Sequence, residues 1–383
     1  MTRAGEGQLS LFPPDPAPDP LLCWLWLAGT LGAGSQRAGA VLDAFGGAQE
    51  AWEARDTDAF AAAAGPAAVQ RACLPDNTPE HYRAFARRCA ARRIRILPYD
   101  DPDYPLAFSR ISDMPLVLYC TGAPRWLNEP AAVGMVGTRK PTEYGLRAAE
   151  DIGRGLARAG AVIVSGLADG LDSEAHRAAV QADVPTVAFL GTAIDKTYPA
   201  SNAKLRTAIE KGGGAVCSEY PPGYSGRTTG TFLARNRLIA AQSEALCVAE
   251  ARTRSGTLNT VGHAERLGRP VLAVPGSIYS ALSEGTNELL RTHRAEPLCK
   301  AANALDILGI GAETAAPAQQ RFDPATVSAD AQAVYAVLKP TPQSIDALCA
   351  AAGLPAGRVL AACTELELMG GAQAQPGRRY IAL

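Results

Sequence analysis

Residues 133–300 alternate short apolar runs with segments of helical periodicity, and this alternation restricts the possible folds more than any other feature of the chain. Runs at 133–136, 161–164, 186–190, 215–217, 245–249 and 271–274 have the length of buried strands. Helices fall between several of them. Over 144–159, for example, Leu146, Ala149, Ile152 and Leu156 share one face. Strand and helix repeated in this way predict an α/β fold with an extended, Rossmann-like parallel sheet and helices on both faces. Ligands are then expected outside the carboxyl ends of the strands.

The strand ends carry Gly, Ser and Arg. Gly137-Thr138-Arg139 follows the first run and leads into a helix. A small-residue turn before a helix N-terminus leaves free N–H groups and the positive end of the helix dipole aimed at one spot, which suits an anion. Arg139 adds a planar guanidinium matched to phosphate. The second run ends in Ser165-Gly166. Alternatively, Gly137 and Gly166 do no more than let helix and sheet pack closely. No G-x-G-x-x-G follows the first strand, no acidic residue ends the second, and no P-loop occurs, so no nucleotide cofactor is expected.

The chain has 383 residues, enough for about two to four domains. Its net charge of −1 gives no global basic field, so nucleic acid would need local positive charge. The nine cysteines are odd in number, form no C-x-x-C and sit in apolar segments, which points to a reducing cytoplasm and away from structural zinc. His81, His176, His263 and His293 show no ligand spacing, and no metal is expected. The first apolar run is broken by Gly29 and Gly32 and is too short for a membrane span, so no membrane partner is expected.

Residues 1–20 hold Pro13, Pro14, Pro16, Pro18 and Pro20 and read as a disordered tail. Residues 21–80 are helical. Their turn with Gly29, Gly32 and Gly34 fits a helix hairpin gripping a DNA backbone or a small packing bundle, and the lack of flanking Lys favours the bundle. Residues 81–308 form the α/β domain. It opens with a basic helix at 81–95 (Arg83, Arg87, Arg88, Arg92, Arg93, Arg95), read as a solvated face or a DNA contact. Strands are expected at 94–97 and 115–119. Residues 309–327 read as a linker. Residues 328–383 have a winged-helix pattern, with helices at 331–338, 344–352 and 355–369 and a wing opened by Gly370-Gly371. The third helix has only Arg358 against Glu365 and Glu367, so protein, or weakly held DNA, is its expected partner.

Two more strand-end motifs carry chemistry. In Phe232-x-x-Arg235-Asn236-Arg237, guanidinium suits phosphate, amide suits a base edge and the ring suits stacking. Ser255-Gly256-Thr257 opens a helix and can give N–H and hydroxyl donors to a further phosphate. These motifs resemble the DNA-processing protein A (DprA/Smf) family in order and spacing. The resemblance includes Tyr104-Pro105, the Gly-Thr-Arg turn, Ser165-Gly166 through Asp172 with Ala175-His176, Tyr198-Pro199, Ser218-Glu219, Glu250-Ala251 and Val274-Pro275-Gly276. It implies an extended Rossmann-like domain flanked by a helical domain of sterile-alpha-motif type and a winged helix. It also implies binding of single-stranded DNA without a cofactor, protection of incoming strands in natural transformation, RecA loading and a homodimer. Carried onto this chain, the pocket would use Gly137, Thr138, Arg139, Ser165, Gly166, Phe232, Arg235, Asn236, Arg237, Ser255 and Gly256. Charge near a strand end adds Lys196 and Lys204. Asp169 stands where the family usually has Arg, and Leu289-Leu290 is followed by Arg291 where Gly-Ala is usual. For the dimer surface the chain itself offers only an apolar stretch at 271–278, which reads equally well as core.

Two enzyme readings compete. The turn at Arg254–Thr257 is similar to that of nucleotide phosphoribohydrolases, whose catalytic Glu would fall at Asn259; a neutral amide cannot take that role. Asp172, His176 and Glu219 could also form an acid/base site for cleaving DNA, Asp172 and His176 sharing a helix face. The competing account is a helix-capping Asp with a hydrogen-bonded His.

Overall fold

Apolar surface on the N-terminal helices and on one sheet face is buried in a single continuous core, so the two parts pack as one body. The computed structural model describes residues 19–129, 131–226, 228–310, 324–339, 341–375 and 379–382. Most of the expected tail (1–20) and of the expected linker (309–327) lies outside the described residues.

The chain begins with α1 (Pro20–Leu31), α2 (Ala38–Phe45), α3 (Ala48–Glu53), α4 (Asp58–Ala64), α5 (Pro66–Ala72) and α6 (Pro79–Ala91). Thr57 and Thr78 cap α4 and α6 with their hydroxyls, accepting from the amides of Phe60 and His81. Trp24, Trp26 and Phe60 fill the centre, Trp26 meeting Trp52 edge-on at 5.0 Å. The glycines of the first turn serve packing. A Cβ at Gly29 would sit 2.2 Å from the Tyr82 hydroxyl, and Gly32 ends α1 at φ +80. Arg71 then binds the carbonyls of Thr30 and Leu31 at the end of α1. The six helices pack as a small bundle, with Tyr82 and Arg71 set against the glycine turn. The basic helix expected at 81–95 is α6, whose last residues instead enter the sheet.

Strands β1 (Arg95–Pro98) and β2 (Val117–Gly122) lead into the α/β alternation. It runs β3 (Ala132–Val136), α7 (Glu143–Arg158), β4 (Val162–Ser165), α8 (Leu171–Gln181), β5 (Thr186–Phe189), α9 (Ala203–Lys211) and β6 (Ala215–Ser218). It continues through α10 (Thr229–Gln242), β7 (Ala245–Val248), α11 (Gly256–Arg266), β8 (Val271–Ala273), α12 (Glu284–Arg291), β9 (Glu296–Pro297) and α13 (Ala301–Ile307). The nine strands lie in the order β1-β2-β6-β5-β4-β3-β7-β8-β9. From β6 to β9 they are parallel, while β1 and β2 pair antiparallel at one edge. Side chains alternate as a pleated strand requires. Val133, Met135, Ile163 and Cys247 face α7, α8 and α13, whereas Val136, Val164, Leu246 and Val248 face the core shared with α10, α11 and the N-terminal helices.

The last unit comprises α14 (Ala329–Val337), β10 (Gln343–Ser344), α15 (Ile345–Ala352), α16 (Ala356–Leu368), β11 (Ala372–Gln375) and β12 (Arg379–Ala382). Its sheet order, β10-β12-β11, is that of a winged helix. Ser344 caps α15, accepting from the amide of Ala347. Although all nine cysteines sit in apolar segments of the sequence, Cys73 and Cys299 are exposed and Cys349 is half-buried. Among the described residues, no single helix is long and apolar enough to cross a membrane.

Candidate nucleic-acid interface

Connections from β3 go one way along the sheet and the return through α10 goes the other, so a crevice opens at the carboxyl ends of β3 and β7. A cavity of about 480 Å³ lies there, bordered by the turns after β3, β4 and β7 and by the start of α10. Two glycines make the crossing possible. A Cβ at Gly137 would lie 2.3 Å from Leu171, and one at Gly166 would lie 2.3 Å from the guanidinium of Arg235.

Four helices, α7, α8, α10 and α11, begin at or beside this region; Thr228 caps α10 with its hydroxyl, and α7 and α8 are already supplied with negative charge by the protein. At α7, the Glu250 carboxylate accepts from the Thr142 amide at 2.9 Å and its hydroxyl at 2.6 Å. The unit that the sequence offers as the first anion site is therefore filled by the chain's own anion. At the start of α8, the buried carboxyl of Asp172 sits beside Arg235, Arg139 and the amides of Gly137 and Gly166. Burial pushes its pKa up, while these neighbours pull it down. At α11, the N-cap Ser255 makes no capping hydrogen bond. Its Oγ is buried without a partner among the described residues, and Gly256 and Thr257 line the cavity. This is the helix N-terminus left open to a ligand anion.

Opposite it stands a cationic and aromatic wall. The Arg139 guanidinium lies over the Phe232 ring at 5.4 Å, and Tyr198 packs against the same ring at 5.4 Å. Phe232 rests on Gly191, where a Cβ would come within 2.6 Å of it. Arg235 lies beneath, 3% exposed, donating to the carbonyls of Gly166 at 2.6 Å and of Phe189. Burial pushes its pKa down to about 10, against the pull of Asp172, so it stays charged at neutral pH. Asn236 donates to the Gly256 carbonyl and to Asn259, tying α10 to α11.

This arrangement of strand-end turns is matched in known proteins. The sequence profile of the family described as DNA recombination-mediator protein A matches residues 95–309, and that of the DprA winged helix domain matches residues 314–378. The chain belongs to the DNA recombination-mediator protein A family. It is 38% identical over 302 residues to a putative DNA processing protein DprA of Mycobacterium tuberculosis, covering 75% of this chain and 77% of that one. It is 41% identical over 191 residues to DNA processing protein DprA of Streptococcus pneumoniae, covering 50% and 66%. The crystal structure of the pneumococcal DprA matches with TM-score 0.59 and 30% identity over 74% of this chain and 96% of that one. A Helicobacter pylori DprA, whose structure is described by its single-stranded DNA binding mode, matches with TM-score 0.51 and 33% identity over 56% and 95%.

Within this DprA-family fold the expected site residues separate into two groups. Gly137, Thr138, Arg139, Phe232, Arg235, Asn236, Ser255 and Gly256 border the cavity. Gly166 lies just behind, under Arg235. Arg237 does not belong to the cavity. It is 1% exposed, pairs with Glu219 at 2.7 Å and Asp113 at 3.0 Å, and faces the other side of α10. Ser165 is also core, its hydroxyl donating to the Met135 carbonyl at 2.5 Å. Lys196 and Lys204 are exposed and border no part of the cavity; Lys196 donates to the Tyr224 carbonyl. Asp169 accepts from Ser201 and, among the described residues, pairs with no Arg. Thr257, read from the sequence as a hydroxyl donor beside Ser255 and Gly256, also borders the cavity, whereas the sequence assigns no role to Thr228 or Thr229 and shows Tyr198 only as part of the Tyr198-Pro199 motif.

The acid/base grouping does not assemble. Glu219 is held by Arg237. His176 is fully buried, its Nδ1 meeting Thr186 Oγ1 at 2.8 Å, and that hydroxyl donates to the Ile163 carbonyl. The hydroxyl proton is thus committed, so Nδ1 carries the imidazole proton. Burial pushes the His176 pKa down to about 3. Thr186, rather than Asp172, is the ring's partner. Among the described residues, no group of three or more His, Cys, Asp or Glu could hold a metal.

Proposed function

We propose that the strand-end cavity holds single-stranded DNA, and that the protein is a cytoplasmic recombination mediator. In this reading it protects incoming strands and passes them to RecA, working as a homodimer without turnover or cofactor. The observation that carries the reading is the Arg139–Phe232–Tyr198 wall facing the open N-terminus of α11. An unpaired strand can put a base face on a ring and a phosphate on the helix end, whereas duplex bases are already stacked. The described binding mode of the Helicobacter relative supports the same ligand. A phosphoribohydrolase reading lacks its carboxylate, because Asn259 stands there and accepts from Asn236. On the winged helix, Arg358 is bound to Asp330, while Leu360 and Leu368 of α16 and Met369 just after it are exposed, a surface better suited to protein than to phosphate.

The test is fluorescence anisotropy with labelled single-stranded and duplex oligonucleotides at two salt concentrations. The expected result is a preference for the single strand and a loss of about tenfold or more with Arg139→Ala. The salt slope should fall by about 0.7, the value for one phosphate contact on a single strand. RecA should then nucleate faster on strands carrying the protein. Equal affinity for duplex and single strand would sink the binding reading, and unchanged RecA nucleation would sink the mediator role.

A further inference from the structure

A second cavity, about 370 Å³, lies between the N-terminal helices and the sheet. Its mouth is aromatic. Tyr220 and Tyr224, after β6, stack at 4.8 Å with their planes 19° apart, and Phe85 of α6 meets Tyr119 edge-on. Tyr224 is 37% exposed. Two exposed arginines of α6 stand near the rim, one of them paired with a carboxylate. The Arg88 guanidinium is 5.8 Å from the centre of the Phe85 ring. Arg92 holds Asp195 at 3.2 Å, and Asp195 in turn accepts from the amide of Gly223, next to Tyr224. Glu219, the carboxylate in the wall, is neutralised by Arg237 and does not repel an incoming phosphate.

The segments that border this cleft run on to the first pocket. Lys196 Nζ donates to the Tyr224 carbonyl at 3.2 Å, and Tyr198, two residues beyond Lys196, lines the strand-end cavity. Tyr220 and Tyr224 border one cavity, and Thr228 and Thr229, a few residues on, border the other. Rings alternating with cations along one surface fit a single strand, whose bases need faces and whose phosphates need charge.

We propose that the cleft between the N-terminal helices and the sheet is a second contact for the same strand. Bases of nucleotides beyond the strand-end pocket stack on Tyr224, and Arg88 and Arg92 hold their phosphates. The proposal rests on the single-strand reading of the first pocket and assigns a use to the basic face of α6.

Strand length separates the two sites. An oligothymidine of about 6 nucleotides can occupy only one site, whereas one of about 20 can span both. In anisotropy titrations of the full chain, Arg88→Ala with Arg92→Ala should weaken the longer strand about tenfold and lower its salt slope by about 1.4, the value for two phosphates. The short strand should bind as before. Tyr224→Ala should act on the longer strand alone, and Tyr224→Phe, which keeps the ring, should restore it. Arg139→Ala, by contrast, should weaken both lengths. If Arg139→Ala weakens both and the α6 and Tyr224 variants change neither, the first reading stands. The cleft then belongs to a protein surface or to the chain's own first residues, and the proposal is overturned. Equal loss on both lengths with the α6 variants would overturn it as well. If Arg139→Ala changes neither length, it is the strand-end reading that fails.

Discussion

Two arginines of α10 carry the same charge into different surroundings. Arg235 and Arg237 are two apart in one motif and look equivalent on paper. On a helix, positions two apart face different ways. Arg235 turns toward the cavity, while Arg237 turns to Glu219 and Asp113 as a buried structural charge. The direction of His176 was equally hidden. Its spacing from Asp172 was visible, but its partner Thr186 lies on the neighbouring strand. Its burial has a measurable consequence. In the folded protein the pKa is about 3, while the unfolded chain titrates near the ordinary 6.5. Between those values the unfolded state binds one more proton, so this group destabilises the fold as pH falls below about 6.5 and has no such effect above it. The slope is about 1.4 kcal/mol per pH unit, or roughly 2 kcal/mol between neutral pH and pH 5. Urea unfolding of the wild type and of His176→Asn at pH 7.5 and 5 isolates the term, because all other groups titrate alike in both. The loss on acidification should be smaller in the variant by about that amount, and equal losses would refute the account.

Elements were the most legible scale. Each expected strand from 133 to 274 is present, because buried parallel strands are continuous apolar runs and little else looks like them. Much less legible was which helix N-terminus stays open. The turn after β3 has the better sequence signature, yet Glu250, more than a hundred residues on, closes it by binding Thr142. Ser255 looks like an ordinary N-cap but makes no cap bond. The two residues should therefore respond oppositely to truncation. Thr142→Ala removes the bond to the Gly145 amide and a partner of Glu250, and should cost about 1–2 kcal/mol of stability. Ser255→Ala removes a hydroxyl with no partner and should change stability by less than about 0.5 kcal/mol, while weakening single-strand binding several-fold. Thermal melts paired with anisotropy decide it. A large melting shift for Ser255→Ala would mean that the α11 N-terminus is capped after all.

For the whole molecule, the proposed homodimer is the sharpest point to test, and the apolar turn after β8 is its candidate surface. The apolar stretch at 271–278 splits in the structure: β8 is core, while Ile278 is 81% exposed and the next residue, Tyr279, 94%. The sequence could not separate them, because Ile278 is as apolar as Val271–Ala273 and only the point where β8 ends decides which is covered. The turn that carries them is held in place. Asn287 accepts from the Gly276 amide and donates to its carbonyl, and a Cβ at Gly276 would strike Ser283. Two large apolar side chains presented on a braced turn favour association, and neither lines the cavity or the cleft. Replacing them, as Ile278→Asp with Tyr279→Asp, should convert a two-chain sedimenting species into a single chain. Binding of a short oligonucleotide should stay within about twofold, since the pocket is untouched. Long strands should bind more weakly, by about tenfold or more, because two pockets joined in one particle act on one strand at high effective concentration. A variant that still sediments as two chains would move the interface elsewhere. A wild type that sediments as one chain would remove the homodimer from the proposed function while leaving the strand-end pocket standing.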